Sequence, residues 1–419
     1  MKRPLAKTIV ACLSLSGKKC DLEKLKGFTL RDWRRTFRWL DDSSLALYFL
    51  QRLYDLDATD LLPAEALARL KQNLAENRQR TDHLVDEFGL INARFQQAGL
   101  NFAVIKGFSL VPEFCPDPAL RTFSDLDYLV DYQSLPLAQQ VLKEIGYSPA
   151  GFSDIEFKFA RPISRMPTTS DNPYSIKTEP LVELHVGFWK RSNGVPMKEP
   201  EFLEQTTTHS WQGMRFPALN ERDAFLFQVL HVFQHTLECW VKLGWLLEIS
   251  FFLSTHSSDS KFWSEVDDRI KTIPQFEEFT AIVIGLARLV FAPPTPALIE
   301  AWMSSLRLPA RLWLENYAET WVLDDHPDSR SSVFPSAKLA LFLYQEYIPN
   351  PDVRKDMIRR RLFPWKRPER VAIPVDHNPG SVLAAAQLQW RFVLDAIVFH
   401  SGSSLRYLWE APRWRELTS

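Results

Sequence analysis

Phe123-Ser124-Asp125-Leu126-Asp127-Tyr128-Leu129-Val130 is the run on which the fold turns. Its second half is apolar, which predicts a buried strand with acidic residues near its start. Side chains two apart on a strand point to the same face, so Asp125 and Asp127 share one face while Leu126 and Tyr128 take the other. Two carboxylates that close repel each other unless a cation neutralises them, which argues for Mg²⁺ or Mn²⁺ there. A D-x-D at a strand end, taken alone, is more often a solvated turn. Its neighbours in the chain decide between the two.

Upstream, Leu84, Phe88, Ile91, Phe95 and Ala98 recur at steps of three and four, predicting a helix over 82–98 with one buried stripe. Gly99 supplies its left-handed stop. Phe102-Ala103-Val104-Ile105 then reads as a short strand that delivers Lys106-Gly107 to its end. A short proline-bounded helix follows. Downstream, Ser134 is expected to cap a helix whose face carries Leu137, Val141, Leu142 and Ile145, with Gly146 as its stop. Leu181-Val182-Glu183-Leu184-His185-Val186 is a third strand, and Glu183 and His185 repeat the two-residue spacing. If that strand lies beside the Asp125–Asp127 strand, Glu183 completes a three-carboxylate site. Pro162, Pro167, Pro173 and Pro180, set among serines and threonines, predict a loop or hairpin insertion before it.

Residues 1–80 read as helical, and the helical pattern returns at Asn220, which with Asp223 marks a helix start. That helix is unusually apolar, and Gln228, His231 and His235, continued by Glu238 and Lys242, are spaced along it. Their spacing puts a polar line on one face, fitting either a cleft wall or a satisfied core network. His231 and His235 have metal-ligand spacing, but Val232 stands where a metalloprotease would carry its glutamate. Trp240 and Trp245 follow, and fit either stacking on a nucleobase or core packing, since most of the chain's 14 tryptophans must be core or half-buried.

The chain has 419 residues, enough for two to four structural units. The expected division is 1–80, 81–215, 216–330 and 331–419. Fifty basic residues against fifty-one acidic ones exclude a surface coated wholesale by nucleic acid. Cys12, Cys20, Cys115 and Cys239 form no C-x-x-C pair, which fits a reducing cytoplasm better than a disulfide framework. The apolar run 281–292 is too short to span a bilayer. Phosphate-loop, dinucleotide-binding and nucleophile-elbow motifs are lacking.

Val104-Ile105-Lys106-Gly107, Asp117-Pro118 to Arg121, Ser124 to Val130, Gly146-Tyr147 and Val182-Glu183-Leu184-His185 together resemble the uncharacterised bacterial nucleotidyltransferase family of the DNA-polymerase-β-like superfamily. The resemblance covers about residues 5–250. It implies an α+β, predominantly helical fold, with a small mixed sheet as the nucleotidyltransferase core and helical regions on either side. It also implies Asp125, Asp127 and Glu183 as metal ligands and catalytic carboxylates, and Lys106, Gly107 and Arg121 at the nucleotide's phosphates. The superfamily's glycine–serine pair is here Lys106-Gly107-Phe108-Ser109, with Ser109 in a shifted register. On this reading the protein moves a nucleoside monophosphate from an NTP to a small molecule, peptide, protein or RNA.

Several assignments stay open on sequence alone. Lys106 is a cleft residue or a surface lysine, and Arg121 a phosphate clamp or a partner for Asp117 or Asp125. His185 orients Glu183, meets the nucleotide or fills a core hydrogen bond. The altered glycine–serine region motivates a second reading, a module that binds nucleotide or a partner without chemistry. Arg354 to Arg370, a basic run with Phe363 and Trp365, motivates a third, an RNA-modifying toxin-like enzyme, and fits RNA or an acidic partner. A solvated helix face accounts for the same run.

Overall fold

The computed structural model describes residues 4–16, 21–123, 125–161, 173–175, 181–190, 194–198, 201–324, 337–364 and 382–419, with part of the side chains in the last stretch. Four helices come first: α1 (Pro4–Cys12), α2 (Leu30–Asp42), α3 (Ala46–Asp55) and α4 (Ala64–Gln97). α4 is far longer than the helix expected over 82–98, because its first half is rich in alanine, leucine, glutamine and arginine, which favour helix throughout. Gly99 ends it at φ +68°.

One mixed sheet of seven strands follows, in the order β3–β4–β5–β2–β1–β7–β6. β1 (Phe102–Val104), β2 (Asp125–Val130) and β5 (Leu181–His185) are the three strands expected from sequence. The others come as two hairpins, β3 (Ser148–Phe152) with β4 (Glu156–Ala160), and β6 (Thr206–Trp211) with β7 (Met214–Leu219). Pro149 and Gly151 disguised β3, which tolerates the proline as an edge strand. β6 and β7 meet at Gln212-Gly213, both at positive φ, as tight hairpin turns require. β7 runs across the 215/216 boundary drawn from the sequence.

β2 is followed by α5 (Leu135–Glu144). Ser134 does not cap it with its side chain; instead the Asp131 carboxylate accepts the Ser134 N–H at 2.6 Å. Leu137 turns outward, and Leu135, Ala138, Val141 and Leu142 make the buried face. After β7 come α6 (Glu221–Leu237), α7 (Leu243–Thr255), α8 (Ser260–Lys271) and α9 (Phe276–Phe291), with further helices to the C-terminus. Asn220 does cap α6, its Oδ1 accepting the Asp223 N–H at 2.9 Å.

Two apolar cores result. One lies between the sheet, α5 and the second half of α4, through Phe88, Phe95, Tyr128, Val182 and Leu184. The other gathers α1–α3 and the first half of α4 with α6–α9 and the C-terminal helices. α4 joins the two, and the face of β2 and β5 opposite the first core looks toward α6. Among the described residues no helix is long and apolar enough to cross a membrane. Cys115 and Cys239 are free thiols, and Cys20 lies outside the described residues.

Candidate functional site

Strand register assembles the site. β2 and β5 run parallel with Asp127 directly opposite Glu183. β4 runs antiparallel to β5, with Lys158 opposite Glu183 and Glu156 opposite His185. Lysine, glutamate and aspartate therefore stand in one row on one face of the sheet. Lys106 reaches the row from the end of β1 and donates to Asp127 Oδ1 at 2.9 Å. His185 Nε2 lies 2.8 Å from the same oxygen and 3.6 Å from Glu183 Oε2. Lys158 donates to Glu183 Oε1.

The backbone that aims Lys106 is unusual. Lys106 has φ 60° and ψ −161°, a region populated almost only by glycine, and Gly107 follows at φ +51°. This double kink turns the chain away from the sheet just where the ammonium must meet Asp127. Ser109 braces it, its hydroxyl donating to the Lys106 carbonyl at 2.8 Å.

Electrostatics follow from burial and this crowding. Burial opposes charge on Lys106, but Asp127, Asp125 and Glu183 more than offset it and raise its pKa. Burial likewise opposes charge on Asp127, and Lys106 with His185 reverses that, holding the carboxyl well below its ordinary range. Glu183 moves the other way: burial and then repulsion from Asp127 and Asp125 raise its pKa.

Asp127, Glu183 and His185 bring ligand atoms within 4.8 Å of one another, all three buried. Two carboxylates and an imidazole fit a divalent ion, and the raised pKa of Glu183 marks a position where added positive charge is favourable. Asp125 stands two residues before Asp127 on the wall of the adjoining cleft, outside that close group.

The cleft measures about 270 Å³ and lies between the sheet and the α6–α7 corner. Of the residues singled out from sequence, Lys106, Asp125, Glu183, His185, His231, His235 and Lys242 line it. Asp127 sits behind them against Lys106 and His185. Four others are placed elsewhere. Gly107 faces the Phe123 ring, Ser109 is taken up by the Lys106 carbonyl, and Gln228 is buried away from the cleft. Arg121 pairs with Glu248 of α7 at 2.8 Å, and the Tyr48 hydroxyl donates to the same carboxylate at 3.1 Å. That partner was invisible in sequence, lying 127 residues away. Asp117 instead accepts the Ala119 N–H.

Sequence reading missed Glu156, Lys158, Lys190 and Gln234 as cleft residues, and Trp240 and Trp245, left open between stacking and core, line the cleft too. Glu156-Phe157-Lys158-Phe159 carries the same two-residue polar spacing as Asp125-Leu126-Asp127, so the signal for two of them was present. In the basic run, Arg354 donates to the Ile348 carbonyl and Arg361 to that of Glu238, while Arg359 and Arg360 share Asp356. Lys366, Arg367, Arg370 and Trp365 lie outside the described residues, as does Ser124.

The chain is thus an α+β protein, in which a mixed seven-stranded sheet sets facing carboxylates and lysines against a helical wall. Residues 29–292 match the family model of uncharacterised nucleotidyltransferases, and with more than half of its length matched the chain belongs to that family. Among solved structures, an antigenic nucleotidyltransferase-like protein from Paracoccidioides brasiliensis is similar over 52% of this chain and 96% of its own, at 14% identity and a TM-score of 0.27. No curated protein matches the sequence.

Proposed function

We propose that the protein is a metal-dependent nucleotidyltransferase of the polymerase-β-like kind, transferring a nucleoside monophosphate from an NTP to an acceptor hydroxyl, phosphate or amine. The observation that carries this reading is the register of β2 and β5, which sets Asp127 beside Glu183 with Asp125 on the same strand face. Asp127, Glu183 and His185 would hold Mg²⁺ or Mn²⁺, with Asp125 beside them. A divalent ion there supplies positive charge for the polyphosphate and for the departing pyrophosphate.

The chain's own groups do the rest by position and charge. Lys106 and Lys158 stand on the cleft wall as cations for the polyphosphate oxygens. The acceptor gives its proton to a carboxylate as its oxygen or nitrogen attacks the α-phosphorus and pyrophosphate leaves. Asp127 and Glu183, the facing carboxylates of the row, are the candidates for that role.

The test is incubation with each α-labelled NTP, Mg²⁺ or Mn²⁺, and cell lysate as acceptor. Transfer is expected, and Asp125→Asn and Asp127→Asn should each lower it by about 10²-fold or more while the fold is retained. Transfer undiminished in both variants would sink the reading. One observation favours the module without chemistry: Lys106 and Lys158 already neutralise Asp127 and Glu183. NTP binding with no pyrophosphate release over long incubation would select it.

A further inference from the structure

The cleft has two unlike ends. One is the carboxylate–lysine row on the sheet. The other is aromatic, and the transfer chemistry above makes no use of it. α6 and α7 are joined by a turn in which Cys239 takes φ +68°, the left-handed region that side-chain-bearing residues seldom occupy. Trp240 N–H donates to the His235 carbonyl at 3.1 Å, pinning the turn and leaving the Trp240 side chain 43% exposed on the cleft wall. The Trp245 ring lies 5.2 Å from it between centroids. His235 packs on Trp240 at 4.2 Å, and His231 on Trp245 at 4.6 Å. Burial lowers the pKa of both imidazoles, so they meet the tryptophans as neutral rings.

Gln234 lines the same cleft. It is only 6% exposed, and its carboxamide oxygen has no hydrogen-bond partner among the described residues. A buried carboxamide oxygen left unpaired is costly, so its place beside two indole rings tilted 52° to one another points to a ligand with a hydrogen-bonding edge and a planar face that a ring can stack against. Lys106, Trp240 and Trp245 line one and the same cleft of about 270 Å³. A nucleotide with its phosphates at Lys106 therefore shares that cleft with the tryptophans.

We propose that Trp240, Trp245 and Gln234 form the nucleobase subsite of this cleft, the tryptophans giving a stacking surface and Gln234 a hydrogen bond to the base edge. Stacking tolerates every base, since each has a π-face, whereas the carboxamide distinguishes among them. This subsite rests on the nucleotidyltransferase reading, and the experiment separates the two.

Calorimetric titration of the full chain with Mn²⁺ would use the α,β-methylene analogues of ATP, GTP, CTP and UTP, alongside inorganic tripolyphosphate. The wild type should bind at least one analogue about 10-fold or more tighter than tripolyphosphate, within the range that base–aromatic stacking supplies. Trp240→Ala should bring that analogue down to the tripolyphosphate level without changing tripolyphosphate affinity, and Trp240→Phe should keep most of the difference. Gln234→Leu should narrow the spread among the four bases. Analogues bound equally by wild type and Trp240→Ala would overturn the subsite, as would tripolyphosphate matching every analogue in the wild type. A wild type that binds neither analogues nor tripolyphosphate would remove the parent reading, and the subsite with it.

Discussion

Lys106 carries two features that pull in opposite directions. Its ammonium is held against Asp127, while its backbone sits where side chains other than hydrogen are crowded. Such conformations cost about 1–3 kcal/mol and persist when the surroundings over-determine them. Lys106→Ala and Lys106→Gly both remove the ammonium, and both should weaken nucleotide binding to a similar degree. Only glycine also relieves the backbone. Lys106→Gly is therefore expected to be more stable than Lys106→Ala by about 1 kcal/mol, read from urea midpoints at unchanged slope. Equal midpoints would show that the kink holds no strain. The residue pattern Lys106-Gly107 before Asp125-x-Asp127 already suggested a cleft lysine, but its aim depended on two backbone angles that composition does not encode.

The segment holding β2 in place is tied to the helices by a buried polar knot. Arg121, just before β2, pairs with Glu248 of α7, which also accepts from Tyr48 of α3. Asn77 of α4 donates to the Ala119 and Arg121 carbonyls at 2.7 and 2.9 Å. Burial, offset in part by Arg121, raises the pKa of Glu248. Removing one partner leaves the other charge buried and unpaired, so Glu248→Ala should cost about 3–5 kcal/mol. Arg121→Met combined with Glu248→Leu should cost much less than the sum of the single changes, a coupling that a denaturation cycle measures. Additive losses would mean that the pair acts separately. β1, β2 and β5 were legible because each is a short apolar run, to which β2 and β5 add polar residues at two-residue spacing. The two hairpins were not, because Pro149, Gly151 and Pro217 interrupt strands whose ladder is set by neighbours far along the chain.

The N-terminal and C-terminal helices close on each other around α9, with the Leu15 N–H donating to the Phe291 carbonyl and Lys7 paired with Glu319. The last helix, Val382–Thr418, seals one side: Tyr407 and Trp414 stack on Phe342, and Ser404 donates to the Leu362 carbonyl. His400 on this helix is pushed down from near 6.5 to about 4 by burial and by Lys338. The sign follows from linkage. The folded state resists protonation that the unfolded chain accepts, so stability is full above pH 6.5 and falls as pH drops from 6.5 toward 4. With its solvent-facing side discounted, the loss should be about 1–2 kcal/mol. Denaturation of wild type and His400→Asn at pH 7 and pH 4.5 checks this: the variant should lose less stability on acidification. An identical pH dependence would remove His400 from the account.

Local chemistry alone was enough for the acidic strand, its same-face aspartates, the lysine that precedes it and the helical character of both flanks, because strand alternation and helical periodicity are read from near neighbours. Tertiary structure alone decided that Glu183 faces Asp127, that Lys158 and Glu156 belong to the same row, that Arg121 turns to Glu248, and that Gln234 rather than Gln228 faces the cleft. Those outcomes depend on strand order, register and helix rotation. These are fixed by how two separate cores bury their apolar faces against a shared helix, a requirement that no local run of residues contains.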